Sequence, residues 1–101
     1  DSLRHLVALR PDGTLRWASA APIAPSTLNY SAVVVTDLEG DGSTEILVGP
    51  SVYTAAGVLK WQFSARTSDN QGNPIAIDLN GDGRREVIYR GEIRDANGVL
   101  R

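Results

Sequence analysis

The stretch Asp37-Leu38-Glu39-Gly40-Asp41-Gly42-Ser43-Thr44-Glu45 returns 41 positions later as Asp78-Leu79-Asn80-Gly81-Asp82-Gly83-Arg84-Arg85-Glu86. Each copy sets oxygen-bearing side chains at positions 1, 3, 5 and 9 of a glycine-rich turn. A pattern that recurs in register points to a repeat architecture. Oxygen ligands at that spacing point to a hard cation.

The repeat extends outward from these loops. At the same offset, Val34-Val35-Thr36 falls on Ile75-Ala76-Ile77, Glu45-Ile46-Leu47-Val48 on Glu86-Val87-Ile88-Tyr89, and Gly57-Val58-Leu59-Lys60 on Gly98-Val99-Leu100-Arg101. An earlier, partial copy, Gly13-Thr14-Leu15-Arg16-Trp17, matches Gly57-Val58-Leu59-Lys60-Trp61. Short β-rich runs at 32–36 and 75–77 enter the acidic turns, and runs at 46–48 and 87–89 leave them. Pro11-Asp12-Gly13, Ala55-Ala56-Gly57 and Ala96-Asn97-Gly98 supply hairpin turns, where glycine accepts the positive φ required. No segment places apolar residues at helical spacing over ten residues. Segments 18–26 and 64–73, rich in Pro, Ser, Gly and Asn, read as connectors.

If the strands of one unit are lettered A to D, the chain reads C-D, A-B-C-D, A-B-C. Four short antiparallel strands every 41 to 44 residues is the period of a β-propeller blade. The expected fold is therefore all-β, a segment of about two and a quarter blades. Residues 1–26 are expected to hold the C-D hairpin of a first blade, 27–67 a complete blade and 68–101 strands A-B-C of a third. So few blades should not close a ring. The expectation is a piece of a longer polypeptide, or chains that assemble with copies of themselves.

The acidic turns read as metal sites. Ca²⁺ takes six to eight oxygens, and side chains at positions 1, 3 and 5 of a tight loop converge on one point. Gly42 and Gly83 permit the sharp turn at position 6. Position 7 offers a backbone carbonyl, so Ser43 and Arg84 are equivalent there despite their side chains. Glu45 and Glu86 close the cage from the next strand. The first set is then Asp37, Glu39, Asp41, Ser43 and Glu45, and the second Asp78, Asn80, Asp82, Arg84 and Glu86. With four carboxylates against three, the first loop is expected to bind at least as tightly, although Glu39 is longer than the Asp or Asn usual at position 3. Arg84 and Arg85 oppose binding at the second. An EF-hand is excluded, because its position 12 would be Val48 or Tyr89 and the flanks are strands. Mg²⁺ suits the loops less well, because it demands strict octahedral geometry.

Val34-Val35-Thr36-Asp37-Leu38-Glu39-Gly40-Asp41-Gly42 with Glu45-Ile46, and Ala76-Ile77-Asp78-Leu79-Asn80-Gly81-Asp82-Gly83 with Glu86-Val87, resemble the FG-GAP or VCBS-type repeat. This is the calcium-binding β-propeller repeat also found in integrin α subunits. The resemblance implies Ca²⁺ held by the A–B loop through positions 1, 3, 5, 7 and 9, stiffening the edge of the blade. Glu stands at position 9 where Asp is usual. The Gly-x-Leu-x-Trp ending of the C–D hairpin is similar to the quinoprotein-like propeller repeat. That similarity implies that Trp17 and Trp61 pack between neighbouring blades; an exposed platform for sugar rings is the other reading of the same residues.

Bulk composition narrows the partners. A net charge of −2 argues against nucleic acid or an anionic membrane surface. Seven of the twelve acids lie in the two acidic windows, so folding them together calls for a cation or basic neighbours. With no cysteine there is neither disulfide nor thiolate metal site. No apolar run reaches membrane-spanning length, so membrane insertion is not expected. The absence of methionine predicts a processed or excised piece of a longer product. His5, in the pattern Leu3-x-His5-x-Val7-x-Leu9, reads as a packed strand residue without a catalytic partner. Asn29-Tyr30-Ser31 is a formal glycosylation triplet.

These readings converge on a non-catalytic, secreted or cell-surface scaffold. It would bind calcium structurally and serve adhesion or the binding of an unknown protein or carbohydrate ligand. Two alternatives stand beside it. One is part of a propeller-type polysaccharide lyase, which would need basic or acidic residues clustered in a groove at one end of the ring. The other is self-assembly of short chains into a complete ring.

Overall fold

The computed structural model describes residues 5–20, 33–63 and 73–101, which form nine β-strands in three separate antiparallel sheets. The first sheet pairs β1 (Val7–Leu9) with β2 (Leu15–Ala18). The second runs in the order β3 (Val33–Thr36), β4 (Glu45–Val48), β5 (Ser51–Thr54), β6 (Leu59–Gln62). The third contains β7 (Ile75–Ile77), β8 (Glu86–Tyr89) and β9 (Glu92–Arg94). An isolated bridge between Arg94 and Leu100 adds a third pairing there. Among the described residues there is no helix, and the all-β expectation holds. Residues 1–4, 21–32 and 64–72, and with them most of the expected connectors 18–26 and 64–73, Leu3, Ala32 and the triplet Asn29-Tyr30-Ser31, lie outside the described residues.

Each sheet is a meander, because every connection is short enough to join antiparallel neighbours. The 41-residue equivalence survives in the pairing register. Val34 faces Leu47 and Leu47 faces Val52, while Ile75 faces Ile88 and Ile88 faces Ile93. The hairpin after the third strand is also repeated. Gly13, Gly57 and Gly98 each take a positive φ, and each donates its N–H to the residue three before it, Arg10, Thr54 and Asp95. Arg90 joins β8 to β9 at φ 50 beside Gly91 at φ 83, the paired positive values of a two-residue hairpin turn. His5 sits just before β1 rather than within it, and its Nδ1 donates to the Ser19 carbonyl at 2.9 Å.

The core lies between the second and third sheets. Leu47, Val52 and Phe63, with Leu38 from the acidic loop, meet Val87, Tyr89 and Ala96. Phe63 stands between Trp61 and Tyr89, with ring centroids 5.5 and 5.3 Å away, and Arg94 lies over its face at 5.2 Å.

Tryptophan links consecutive sheets. The Trp17 ring lies against Gly57 of the second sheet, where an added Cβ would meet Cε3 at 2.5 Å. The Trp61 ring lies against Gly98 of the third, where a Cβ would meet Cδ2 at 2.7 Å, and its Nε1 donates to the Ala96 carbonyl. Both tryptophans pack between sheets, as the hairpin ending implies.

Candidate metal centre

The two acidic loops have the same internal wiring. Asp37 accepts the backbone N–H groups of Gly40, Asp41 and Gly42 at 2.8, 3.2 and 2.8 Å. Asp78 accepts those of Gly81, Asp82 and Gly83 at 2.8, 3.2 and 2.9 Å. Those bonds, the one to Gly42 foremost for Asp37 and the one to Gly83 for Asp78, hold both carboxyls below their ordinary pKa. At position 5, Asp41 accepts from Ser43 and Asp82 from Arg84, each at 2.9 Å. Asn80 accepts from Asp82 at 3.3 Å. The turn needs positive φ at position 4 as well as position 6: Gly40 and Gly81 stand at 71° and 76°, Gly42 and Gly83 at 90° and 87°. Glycine at both places in both copies is the sequence signal for that second requirement.

Position 9 does something the ligand pattern does not specify. Glu45 and Glu86 are buried, and one oxygen of each accepts the N–H of the position-2 leucine, Leu38 at 2.8 Å and Leu79 at 2.9 Å. The other oxygen faces a cation, Lys60 Nζ at 3.6 Å from Glu45 and Arg101 at 3.1 Å from Glu86. Lys60 and Arg101 are repeat equivalents, each fifteen residues beyond its glutamate. That shared offset was the available signal for the pairing. Glu39, at position 3 of the first loop, pairs with Lys60 and lies 3.8 Å from Arg84 of the second loop. Lys60 is held above its ordinary pKa: burial opposes its charge, but Glu39 and Glu45 outweigh that.

The loops also touch each other. Arg85 donates its N–H to the Leu38 carbonyl at 2.8 Å. A Cβ on Gly40 would lie 2.6 Å from the Gly83 carbonyl oxygen, so the loops meet backbone to backbone.

A carboxylate offers about four lone-pair sites, so three N–H bonds leave Asp37 and Asp78 acceptor capacity. Asp37, Asp41 and the Ser43 carbonyl, and Asp78, Asn80, Asp82 and the Arg84 carbonyl, form a donor set whose chemistry suits a hard cation. Glu39, Glu45 and Glu86 are instead turned to basic partners. Among the described residues, no three acidic or histidine side chains are drawn together tightly enough to hold an ion as they stand.

No protein-family model matches the chain, and no curated protein matches it either, so the FG-GAP or VCBS likeness is carried by the quoted motifs alone. Among solved structures, the chain is similar to the V. cholerae biofilm matrix protein Bap1, with a TM-score of 0.65 and 28% identity over 87% of its length. It spans 14% of the length of that chain.

Proposed function

We propose that this chain is a non-catalytic scaffold segment of an extracellular matrix or adhesion protein, built of stacked propeller-type blades whose acidic loops take up calcium. The observation that carries the scaffold reading is the repeated sheet contact, Trp17 on Gly57 and Trp61 on Gly98. The likeness to a biofilm matrix protein supports the same reading and an extracellular setting.

Calcium would be held by Asp37, Asp41 and the Ser43 carbonyl in the first loop, and by Asp78, Asn80, Asp82 and the Arg84 carbonyl in the second. When bound, the ion neutralises carboxylates that otherwise repel one another. The chain's own residues do the rest. Asp37 and Asp78 shape the loops through backbone N–H groups, and Glu45 and Glu86 tie each loop to the strand that follows. Glu39, Glu45 and Glu86 would join the ligands only by leaving Lys60, Arg84 and Arg101. Since Lys60 and Arg84 already answer the surplus charge of the first loop, that loop holds no electrostatic advantage over the second.

Thermal melting in millimolar Ca²⁺ and in EGTA tests the calcium reading, because a ligand bound only by the native state stabilises it by mass action. A higher melting temperature in Ca²⁺ is expected. Identical melts, with no calorimetric binding at millimolar Ca²⁺, would overturn it.

A further inference from the structure

The two acidic loops are identical at positions 1, 2, 4, 5, 6 and 9 and differ at positions 3, 7 and 8, Glu-Ser-Thr in the first against Asn-Arg-Arg in the second. The differing positions meet where the loops touch. Glu39, at position 3 of the first loop, presents Oε2 to the guanidinium of Arg84, at position 7 of the second, 3.8 Å away, and gives Oε1 to Lys60. The N–H of Arg85, at position 8, donates to the Leu38 carbonyl at 2.8 Å. Glutamate is one methylene longer than the Asp or Asn usual at position 3, and here that length is used outside its own loop. Its shorter equivalent Asn80 stays local and accepts the Asp82 N–H.

This contact acts on a ligand of the second loop. The Arg84 carbonyl and the Arg85 N–H belong to one trans peptide unit and point in opposite directions. Holding the N–H on the Leu38 carbonyl therefore fixes the direction of the Arg84 carbonyl, the oxygen that position 7 offers to calcium. Leu38 is a firm support, because its own N–H is held by the buried Glu45. The Arg84 side chain works the other way: its positive charge opposes a cation in the same loop. Glu39 answers that charge. The first loop needs no such partner, since its position 7 is the uncharged Ser43.

We propose that Glu39 is a positioning residue for the second loop rather than a ligand of the first. Paired with Arg84, it offsets the guanidinium charge while the neighbouring Leu38 carbonyl aims the Arg84 carbonyl, so the first loop tunes the calcium affinity of the second. The proposal rests on the calcium reading of the loops.

Calcium titration of the isotope-labelled full chain, followed through the amide resonances of Gly42 and Gly83, reads the two loops separately, because these N–H groups bond to Asp37 and Asp78. Glu39→Gln should weaken the second loop by about two- to fivefold, the range that an exposed ion pair supports, and the first loop by less. Glu39→Asp keeps the charge but shortens its reach, and should weaken the second loop in the same direction. Arg84→Gln should tighten the second loop, and in that background Glu39→Gln should no longer change its affinity, since the glutamate acts through the guanidinium. All variants should keep the parent's amide spectrum outside the two loops in EGTA. A larger loss at the first loop would make Glu39 a ligand there and overturn the proposal. So would a second loop indifferent to Glu39→Gln, or one still weakened by it in the Arg84→Gln background. Gly42 and Gly83 resonances that ignore millimolar calcium would overturn the calcium reading and this proposal with it, whereas calcium bound without regard to Glu39 overturns the proposal alone.

Discussion

Trp61 lies against Gly98, its ring so close that an added Cβ would stand 2.7 Å from Cδ2. The substitution Gly98→Ala combines two costs, a residue at φ 87 and a collision with an indole anchored to the Ala96 carbonyl. Gly13 shares the φ but has open space around its Cβ direction, so Gly13→Ala isolates the backbone cost at about 1 kcal/mol. Gly98→Ala should lose at least about 1 kcal/mol more, the ordinary penalty of overpacking. Urea unfolding of both variants measures the difference, and equal losses would remove the packing role from Trp61.

Leu38 and Leu79 occupy the same place in consecutive loops, one sealed between sheets and the other exposed. Leu38→Ala is expected to cost about 2–5 kcal/mol through lost burial and a cavity. Leu79→Ala in dilute solution should stay within about 0.5 kcal/mol. Chemical denaturation decides, and comparable losses would mean that the third sheet is covered in solution.

Glu45 satisfies the Leu38 N–H from within the core. Glu45→Ala removes the acceptor and leaves that donor and Lys60 without it, a loss of about 1–3 kcal/mol for the orphaned buried group. Glu45→Gln keeps an acceptor in place and should recover part of the loss. Urea midpoints in EGTA read both variants without any contribution from metal; a Gln variant as unstable as Ala would put the weight on the carboxylate charge instead.

Asp12 shapes the first hairpin by accepting the Thr14 hydroxyl at 2.7 Å and the Thr14 N–H at 3.0 Å. These bonds, the hydroxyl foremost, hold its pKa below the ordinary 3.8. The lowered folded value sets the sign. The charged form stabilises the hairpin fully above about pH 3.8, and that share is lost as pH falls through the lower folded value. Thr14→Ala should therefore lower the melting temperature at neutral pH, where the charged form makes the bond, cost less in acid, and so flatten the limb below pH 4. NMR titration of the Asp12 carboxyl checks the direction, and a value above 3.8 would contradict the account.

Calcium should raise the melting temperature in steps that follow the loops. At free ion one hundredfold above its dissociation constant, each site adds about 2.7 kcal/mol. Asp37→Ala and Asp78→Ala should each remove one share and the double variant all of it, every variant being compared with itself in EGTA. A double variant that keeps the full calcium shift would place the ion elsewhere.

The fold was legible where local chemistry and repetition agree. The strands around Val34, Leu47, Ile75 and Val87 announced themselves by β-rich runs beside glycine turns, and the register between copies followed from one offset. The tryptophans were legible for the same reason, each closing a Gly-x-Leu-x-Trp hairpin. The candidate site was legible only along the chain. Spacing named Asp37, Asp41, Asp78 and Asp82, but the partners of Glu39, Glu45 and Glu86 come from other strands and the neighbouring loop. Lys60 reaches Glu39 across twenty-one residues, a distance at which turn periodicity carries no information. The exposure of Leu79 was equally hidden, because Leu38 and Leu79 are the same residue in the same motif and differ only in what covers them.

Two hydrogen bonds cross from the second sheet to the third, Arg85 N–H to the Leu38 carbonyl and Trp61 Nε1–H to the Ala96 carbonyl. One springs from the turn between the first two strands and the other from the last strand. Aliphatic side chains by themselves let two sheets pivot about their contact. Two directional bonds at separate points remove that pivot and set a fixed angle between the second sheet and the third. The curvature of a longer array would then be dictated by polar geometry at its rim, and its diameter by how many such angles fill a turn.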